Sequence, residues 1–505
     1  GREARRDPPL TPEPIAVVGA ACRFPGAPDL DAFWALLAGG VDAITEVPRE
    51  RWNVDEWFDA DPAAPGKSIS RWGGFLPDID RFDPAFFNLT PREAERMDPQ
   101  QRILLELAQL AFDDAGFPSG RLRGSRTAVY VGIGAVGYAR RFYGDPTTID
   151  GHFGTGNTAC IAANRLSYVY DLHGPSLAVD TACSSSLVAV HLAASAILAG
   201  EADQAIAGGT SLLLEPEDTI NFSKAGALSR DGRCKAFDAS ADGYVRSEGV
   251  GLVVLKPLRK ALEDGDPVRA VVLGTALNQD GLTNGLMAPS RAAQEEVVRA
   301  AFARAGVRPA DAAYVECHGT GTLLGDPIEV AALSSILGDG REPGRPCRIG
   351  SVKTNLGHLE AAAGIAGFLK TVLMIERRRF VPSLHFRNPN PHVPWAEIPI
   401  AVQTSLEPWD GDRRVAGVSS FSFGGTNAHA VLCEAPAPEL LPAHAPGPRV
   451  VVLSAHAESA LRGMALDLAR RLETRSDDLG DVAWTTTVRR TQRGHRLAVV
   501  GETAV

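Results

Sequence analysis

Between residues 13 and 434, short β-branched runs alternate with Ala/Leu-rich stretches of helical length. "PIAVVGA" at 14–20, "AVYVG" at 128, "SLAVD" at 176, "QAIAGG" at 204 and "VGLVVLKPL" at 250 form one series. A second begins at "RAVVLGTALNQDG" and continues through "AAYVEC", "CRIGSV" and "VAGVSSFSFGG". Strands that are apolar on both faces belong inside layered α/β structures, so the pattern predicts helices packed around buried sheets. The second series follows the order of the first, which points to two related halves.

A chain of 505 residues exceeds one ordinary core, and 45% hydrophobic with 22% charged residues is a normal globular mixture. The formal charge of −10, with no long basic run carrying interleaved aromatics, argues against nucleic acid as a partner. Seven cysteines, scattered and never spaced Cys-x-x-Cys, indicate neither a disulfide framework nor a zinc site. No metal is expected, and a reducing cytoplasm fits. No 18-residue apolar span is free of charges or helix breakers, and "GREARRDPPLTPEP" lacks the apolar core of a signal peptide. A membrane is therefore not expected as a partner.

Residues 1–12 read as a tail, 13–262 and 263–434 as the two halves, and 435–505 as a small α/β unit behind the Pro/Ala linker "APAPELLPAHAPGPR". In that last unit a strand, a capping Ser454 and an amphipathic helix are followed by "GHRLAVVG", a strand cut off near Val505. The chain reads as a piece of a longer polypeptide.

"VDTACSSSLV" places Cys183 between a strand end and a helix start. There, free backbone N–H groups and the positive helix end lower a thiol's pKa and can hold an oxyanion. Standing alone, the motif would read more readily as a buried structural cysteine. Two further strand-to-helix junctions accompany it. In "AAYVECHGTGTLLGDPIEV", His318 ends a strand, and Asp326, Pro327 and Glu329 form a capping arrangement on the next helix. In "CRIGSVKTNLGHLEAAAGIAGFLK", a turn with Lys353 and Asn355 leads to His358 and a small-residue helix. Such junctions line the crevice of open α/β sheets, so Cys, His and His at three of them predict one constellation. "SSFSFGGTNAH" at 419–429 ends a strand in paired glycines whose neighbouring amides can complete an oxyanion hole. His173, His191, His385, His429 and His495 are read as core or capping residues. Cys317, adjacent to His318 on a strand, should face the opposite way, into the core. "GIGAVG" at 132–137 lacks the helix and acidic partner of a dinucleotide site, and "GTGTLLGD" lacks the Lys-Ser/Thr of a phosphate loop.

"DTACSSSL", "ECHGTGT", "GSVKTNLGH" and "FSFGGTNAH", in that order, resemble the signature of β-ketoacyl synthases, specifically the ketosynthase domain of type I polyketide synthases. "IAVVGAACRFPGA", "MDPQQRILLE", "DGRCKAFDASADGYVRSEG" and "SLHFRNPNPHVPW" match further landmarks, so the likeness spans 13–434. Residues 435–505 resemble part of the ketosynthase–acyltransferase linker. The resemblance implies an α/β, thiolase-like five-layer αβαβα fold of two related halves, followed by a small α/β linker domain.

It also implies decarboxylative Claisen condensation in polyketide elongation, hence secondary-metabolite biosynthesis. Cys183 would be the acylated nucleophile, His318 and His358 the catalytic histidines, and Lys353 a supporting residue. The Cys183 and Phe423 amides would form the oxyanion hole, and Thr320 and Thr322 would contact phosphopantetheine. No cofactor would be bound permanently, since phosphopantetheine arrives on the acyl carrier protein. Expected partners are a second copy in a homodimer, acyl carrier protein domains, and the adjacent acyltransferase and other synthase domains. Ser422 departs from a common glycine and Cys317 from a common alanine, which bears on pocket detail. A decarboxylase-only loading domain, a non-catalytic docking module and a Cys/His hydrolase are the rivals; intact Cys183 and both histidines weigh against the first two, and a hydrolase would have to admit water to the acyl-enzyme.

Overall fold

The computed structural model describes residues 13–134, 137–411, 413–437, 447–474 and 477–503. The N-terminal tail and most of the Pro/Ala linker lie outside the described residues. The first series supplies β1 (Ile15–Arg23), β2 (Thr127–Ile133), β3 (Ser176–Val179), β4 (Gln204–Ser211) and β5 (Gly249–Pro257). The second supplies β6 (Ala270–Gln279), β7 (Tyr314–Glu316), β8 (Cys347–Gly350), β9 (Ile400–Val402), β10 (Val415–Phe421) and β11 (Thr426–Cys433). They form one eleven-stranded sheet in the order β9-β8-β7-β10-β11-β6-β1-β5-β4-β2-β3.

Read outward from its centre, the sheet repeats itself. On one side β1 and β5 are antiparallel, β5 and β4 antiparallel, β4 and β2 parallel, and β2 and β3 parallel. On the other, β6, β11, β10, β7 and β8 show the same four relations in the same order. The halves meet through a short ladder, Ile15–Val17 of β1 against Ala270–Val272 of β6.

Side-chain alternation along each strand feeds two different cores. In β5, Val253 and Leu255 face a central cluster while Leu252 and Val254 face an outer one. The central cluster is built on α3 (Ser185–Leu198) and α7 (Ala363–Arg377), buried between the half-sheets. The outer layers are α1 (Pro99–Asp114) with α2 (Ala159–Tyr170) on one face, and α4 (Arg291–Ala305) with α5 (Gly325–Leu337) on the other. A single turn, α6 (Lys353–Leu356), follows β8. The result is five layers, αβαβα. No helix among the described residues is long and apolar enough to cross a membrane.

The expected small C-terminal unit is present as β12 (Arg449–Ala455) antiparallel to β13 (His495–Gly501), with α8 (Glu458–Thr474) and α9 (Leu479–Val488). Ser454 lies within β12 and bonds to Thr491 and Arg493, so it is not the helix cap its position suggested. The unit is tied to the rest of the molecule by Arg489, whose guanidinium meets the buried Asp266 at 2.8 Å, and by Arg493, stacked 4.2 Å above Phe86.

The central layer brings α3 unusually close to the sheet. A Cβ on Gly132 of β2 would lie 2.6 Å from the Ser186 amide nitrogen, and one on Gly209 of β4 would lie 2.7 Å from the Ser186 Cβ. Gly364 makes the same allowance from α7, 2.8 Å from the Leu187 Cβ. Gly132→Ala should therefore force the first turn of α3 outward and cost about 1–3 kcal/mol of stability. Denaturant unfolding checks this, with Gly120→Ala, where nothing lies within 4 Å, expected to be neutral.

Candidate active site

Cys183 sits in a 3-10 turn, Ala182–Ser184, between β3 and α3. Ala182 takes φ +52°, a left-handed conformation that a residue with a Cβ adopts at a cost. Neighbours hold it there: its N–H donates to Asp180 at 2.9 Å, and the Ser185 hydroxyl accepts from Thr181 N–H and donates to the Ala182 carbonyl. Ser420 of β10 donates its hydroxyl to the Cys183 carbonyl at 2.8 Å. The turn is thereby bolted to the second half of the molecule.

The N–H groups of Phe423 and of Cys183 itself are directed at the sulfur. Two backbone donors converging on one point are what an oxyanion beside that sulfur requires. Phe423 follows β10, in the turn where Gly425 takes φ +83°. Its exposed ring lies edge-on to Phe222 at 6.2 Å.

His318 and His358, 40 residues apart in the chain, have ring centroids 5.5 Å apart at nearly right angles. Each Nδ1 accepts a backbone N–H, from Phe421 at 3.3 Å for His318 and from Glu360 at 2.9 Å for His358. An imidazole that accepts at Nδ1 carries its proton at Nε2. Burial, with Lys353 adding to it, pushes both pKa values well below the ordinary histidine value, so both rings are neutral near pH 7. Two neutral Nε2–H donors face the same space. His358 is fixed by its backbone as well, through Val245 O and Ser247 N.

One cavity of about 490 Å³ is lined by Cys183, His318, His358, Phe423, Thr320 and Thr322. Its rim, with exposed Met287, Leu323, Leu324 and Phe423, opens to solvent. Six of the seven expected site residues thus line one space. Lys353 is not on the wall: it lies buried behind it and donates from Nζ to the His318 carbonyl at 2.6 Å.

Two local expectations are corrected. The Cys183 thiol is not lowered by its helix: withdrawal from bulk water pushes it up to about 12, with Glu360's charge adding to this against Lys353 and the two amides. Asp326 and Glu329 do not cap their own helix, which begins at Gly325 with Leu324 before it. Glu329 instead accepts from the His318 and Gly319 amides at 2.7 and 2.9 Å, and Asp326 from Phe237 and Gly321. Burial raises these carboxyls to about 7 and about 6, respectively. Cys317 does face the core, and the five histidines read as structural are absent from the cavity wall.

The comparisons with known proteins fit this geometry. The descriptions "Beta-ketoacyl synthase, N-terminal domain", "Beta-ketoacyl synthase, C-terminal domain" and "Ketoacyl-synthetase C-terminal extension" match residues 12–261, 269–387 and 389–499. The ketosynthase from module 6 of the bacillaene synthase of Bacillus subtilis is 40% identical, with TM-score 0.89 over 97% of this chain and 83% of that one. The chain belongs to the β-ketoacyl synthases. These ketosynthases are acyltransferase-class enzymes that lengthen polyketides by decarboxylative Claisen condensation, and they share the thiolase-like fold. The oxazolomycin ketosynthase domain OzmH KS7 of Streptomyces albus is 41% identical, with TM-score 0.93 over 97% of this chain and 86% of that one. A phenolphthiocerol/phthiocerol polyketide synthase protein of Mycobacterium tuberculosis is 53% identical over 423 residues, 83% of this chain. The ketosynthase spans about a fifth of that relative, 22% of its length.

Sequence reasoning missed several residues around the site. Tyr244 packs its ring 5.0 Å from His358 and lines the cavity, although it lies in the quoted segment "DGYVRSEG". Arg246, from the same segment, forms a two-point ion pair with Glu360, at 2.5 and 3.0 Å, beside the His358 loop. The spacing of Tyr244 and Arg246, two apart on an extended segment, was the available signal.

A thiol at about 12 makes a direct prediction. The thiolate, not the thiol, is alkylated, and its fraction rises with pH everywhere below the pKa. Iodoacetamide labelling of Cys183, followed by peptide mass, should accelerate about tenfold per pH unit from about pH 7 to about pH 10. A plateau below about pH 9 would contradict the assigned environment.

Proposed function

We propose that this ketosynthase takes a growing acyl chain from a carrier-protein thioester onto Cys183 and joins it to a malonyl-type extender. The carrying observation is the pairing of two donor sets in one cavity, backbone N–H groups at the sulfur and Nε2–H groups on His318 and His358.

In the first step the Cys183 sulfur attacks the incoming thioester carbonyl, and the Phe423 and Cys183 amides hold the resulting oxyanion. Collapse expels the carrier's phosphopantetheine thiolate, which takes up the proton the thiol gave. In the second, the extender's carboxylate leaves as carbon dioxide. The electron pair of the broken carbon–carbon bond moves onto the thioester oxygen, where the two Nε2–H groups receive it. Neutral rings suit this role because each keeps its proton throughout. The enolate carbon then attacks the acyl group on Cys183 through the same oxyanion hole, and the sulfur departs as a thiolate that takes up one proton from water. The product is a β-ketoacyl thioester two backbone carbons longer.

Thr320 and Thr322 stand on the cavity wall with hydroxyls 3.3 Å apart, suited to the amides of a phosphopantetheine arm. Lys353 supports His318 through its carbonyl. The proposal extends to the setting: a homodimer, acyl carrier protein and neighbouring synthase domains as partners, and a cytoplasmic location in keeping with seven free cysteines. Dimerisation is supported by β3, an edge strand of the large sheet with Leu177 half-exposed and Tyr168 of the adjoining α2 at 82% exposure. The division into halves at 262/263 and a linker unit from 435 belongs to the same reading.

Cys183→Ala should abolish acylation, read by intact mass with a panel of acyl thioesters, while retaining carbon dioxide release from a malonyl-carrier substrate. Acyl labelling of that variant would remove Cys183 from its role. His358→Ala should still acylate but lose about 10²–10³-fold in extension, the usual loss for one oxyanion donor. Normal condensation by it would refute the donor assignment.

A further inference from the structure

Beneath the cavity lies a buried carboxylate with no part in the steps above. Glu316 ends β7, two residues before His318, and its side chain is 2% exposed. Oε1 accepts the N–H of Val352, the residue before Lys353, at 2.5 Å. Oε2 accepts the Tyr314 hydroxyl at 2.5 Å and faces the Lys370 ammonium at 2.7 Å. Lys370 has no exposure and sits on α7, the helix entered after His358. One carboxylate therefore joins the strand that leads to His318, the residue before Lys353, and α7, which begins five residues after His358. The bond from Lys353 Nζ to the His318 carbonyl closes a second link between two of them.

The surroundings are shaped around this cluster. A Cβ on Gly367 would come 2.9 Å from the Glu316 Cγ, and one on Gly350 would come 2.7 Å from the Tyr314 hydroxyl. Burial lowers the Lys353 pKa, and Glu316 is the foremost group opposing that.

A buried ion pair is a poor device for stability alone, because desolvating both charges offsets their attraction and apolar residues of equal volume serve the fold as well. Fixing one register among several is the use that remains. We propose that Glu316 and Lys370 are positioning residues that hold the two imidazoles at the separation needed to receive one enolate oxygen. This rests on the condensing reading of the site. It assigns the pair to the decarboxylation and condensation step and leaves chain loading untouched, since loading uses the Cys183 turn and the Phe423 amide.

The test compares the full chain with a Glu316→Gln/Lys370→Met variant, which removes both charges together and keeps the side-chain volumes. Acylation of Cys183 by a short acyl thioester counts competent sites, and carbon dioxide release from malonyl-carrier protein gives kcat and KM per competent site. Expected are acylation within about twofold of the parent, an unchanged KM and a kcat lower by roughly 10- to 100-fold, the scale of an ångström-sized misplacement. A kcat per site equal to the parent's, or acylation and decarboxylation falling together, overturns the proposal. If the double variant does not fold, Tyr314→Phe removes one hydrogen bond from the same carboxylate; a selective loss of kcat supports the role and an unchanged kcat overturns it. A parent protein that neither acylates nor releases carbon dioxide refutes the condensing reading itself.

Discussion

The rest of the site depends on the burial of one turn of backbone, Thr181–Ser186, between two half-sheets. Ser184, Ser185 and Ser186 are without exposure, a position where unpaired hydroxyls would each cost about 1–3 kcal/mol. Each has a partner: Ser184 returns to Thr181, Ser185 to Ala182, and Ser186 accepts the Ile365 amide of α7 at 3.0 Å. Small residues let the turn in and their hydroxyls satisfy it once there. That combination gives the left-handed Ala182 its stability, and the left-handed residue aims Cys183 at the cavity.

The same burial sets the electrostatics of the thiol, the two imidazoles and the carboxyls behind them. Desolvation favours the uncharged form whichever sign the charge has. It lifts the Cys183 thiol, lowers both imidazoles and lifts the Asp326 and Glu329 carboxyls. The thiol and both imidazoles are therefore uncharged near pH 7, beside the Arg246–Glu360 ion pair, with backbone and ring N–H groups already oriented. Charge that develops during a reaction meets donors that need no reorganisation.

The amino-acid pattern disclosed most of this arrangement at the level of elements. Apolar runs gave the strands, their repeated order gave the two halves, and the strand-to-helix junctions gave Cys183, His318 and His358. What it concealed was direction. Asp326 and Glu329 stand where helix caps stand, yet their side chains turn back to the preceding loop, and only the folded path of "HGTGTLLGDPIEV" shows that its amides lie closer than the helix's own. The thiol's environment was misjudged for a related reason. Helix position along the chain was visible, but the depth of its first turn comes from Gly132, Gly209 and Gly364, which lie on three other elements. Ser420 and Glu316 were invisible because each acts on a segment more than 30 residues away.

The internal repeat explains why the chemistry divides as it does. Cys183 follows β3, and the Lys353–His358 segment follows β8, which are equivalent strands of the two half-sheets. Each leads into one of the two buried central helices, α3 and α7, which pack against each other. Both helix starts bring a positive end to the same region, so each half offers a place suited to negative charge. A reaction that passes an anion from an extender to an acyl group needs two such places within one bond's reach. The first half brings the Cys183 amide, and the second brings the Phe423 amide and both imidazoles, whose ring centroids lie 5.5 Å apart. The site is thus assembled from both halves, and neither alone contains both amides directed at the sulfur.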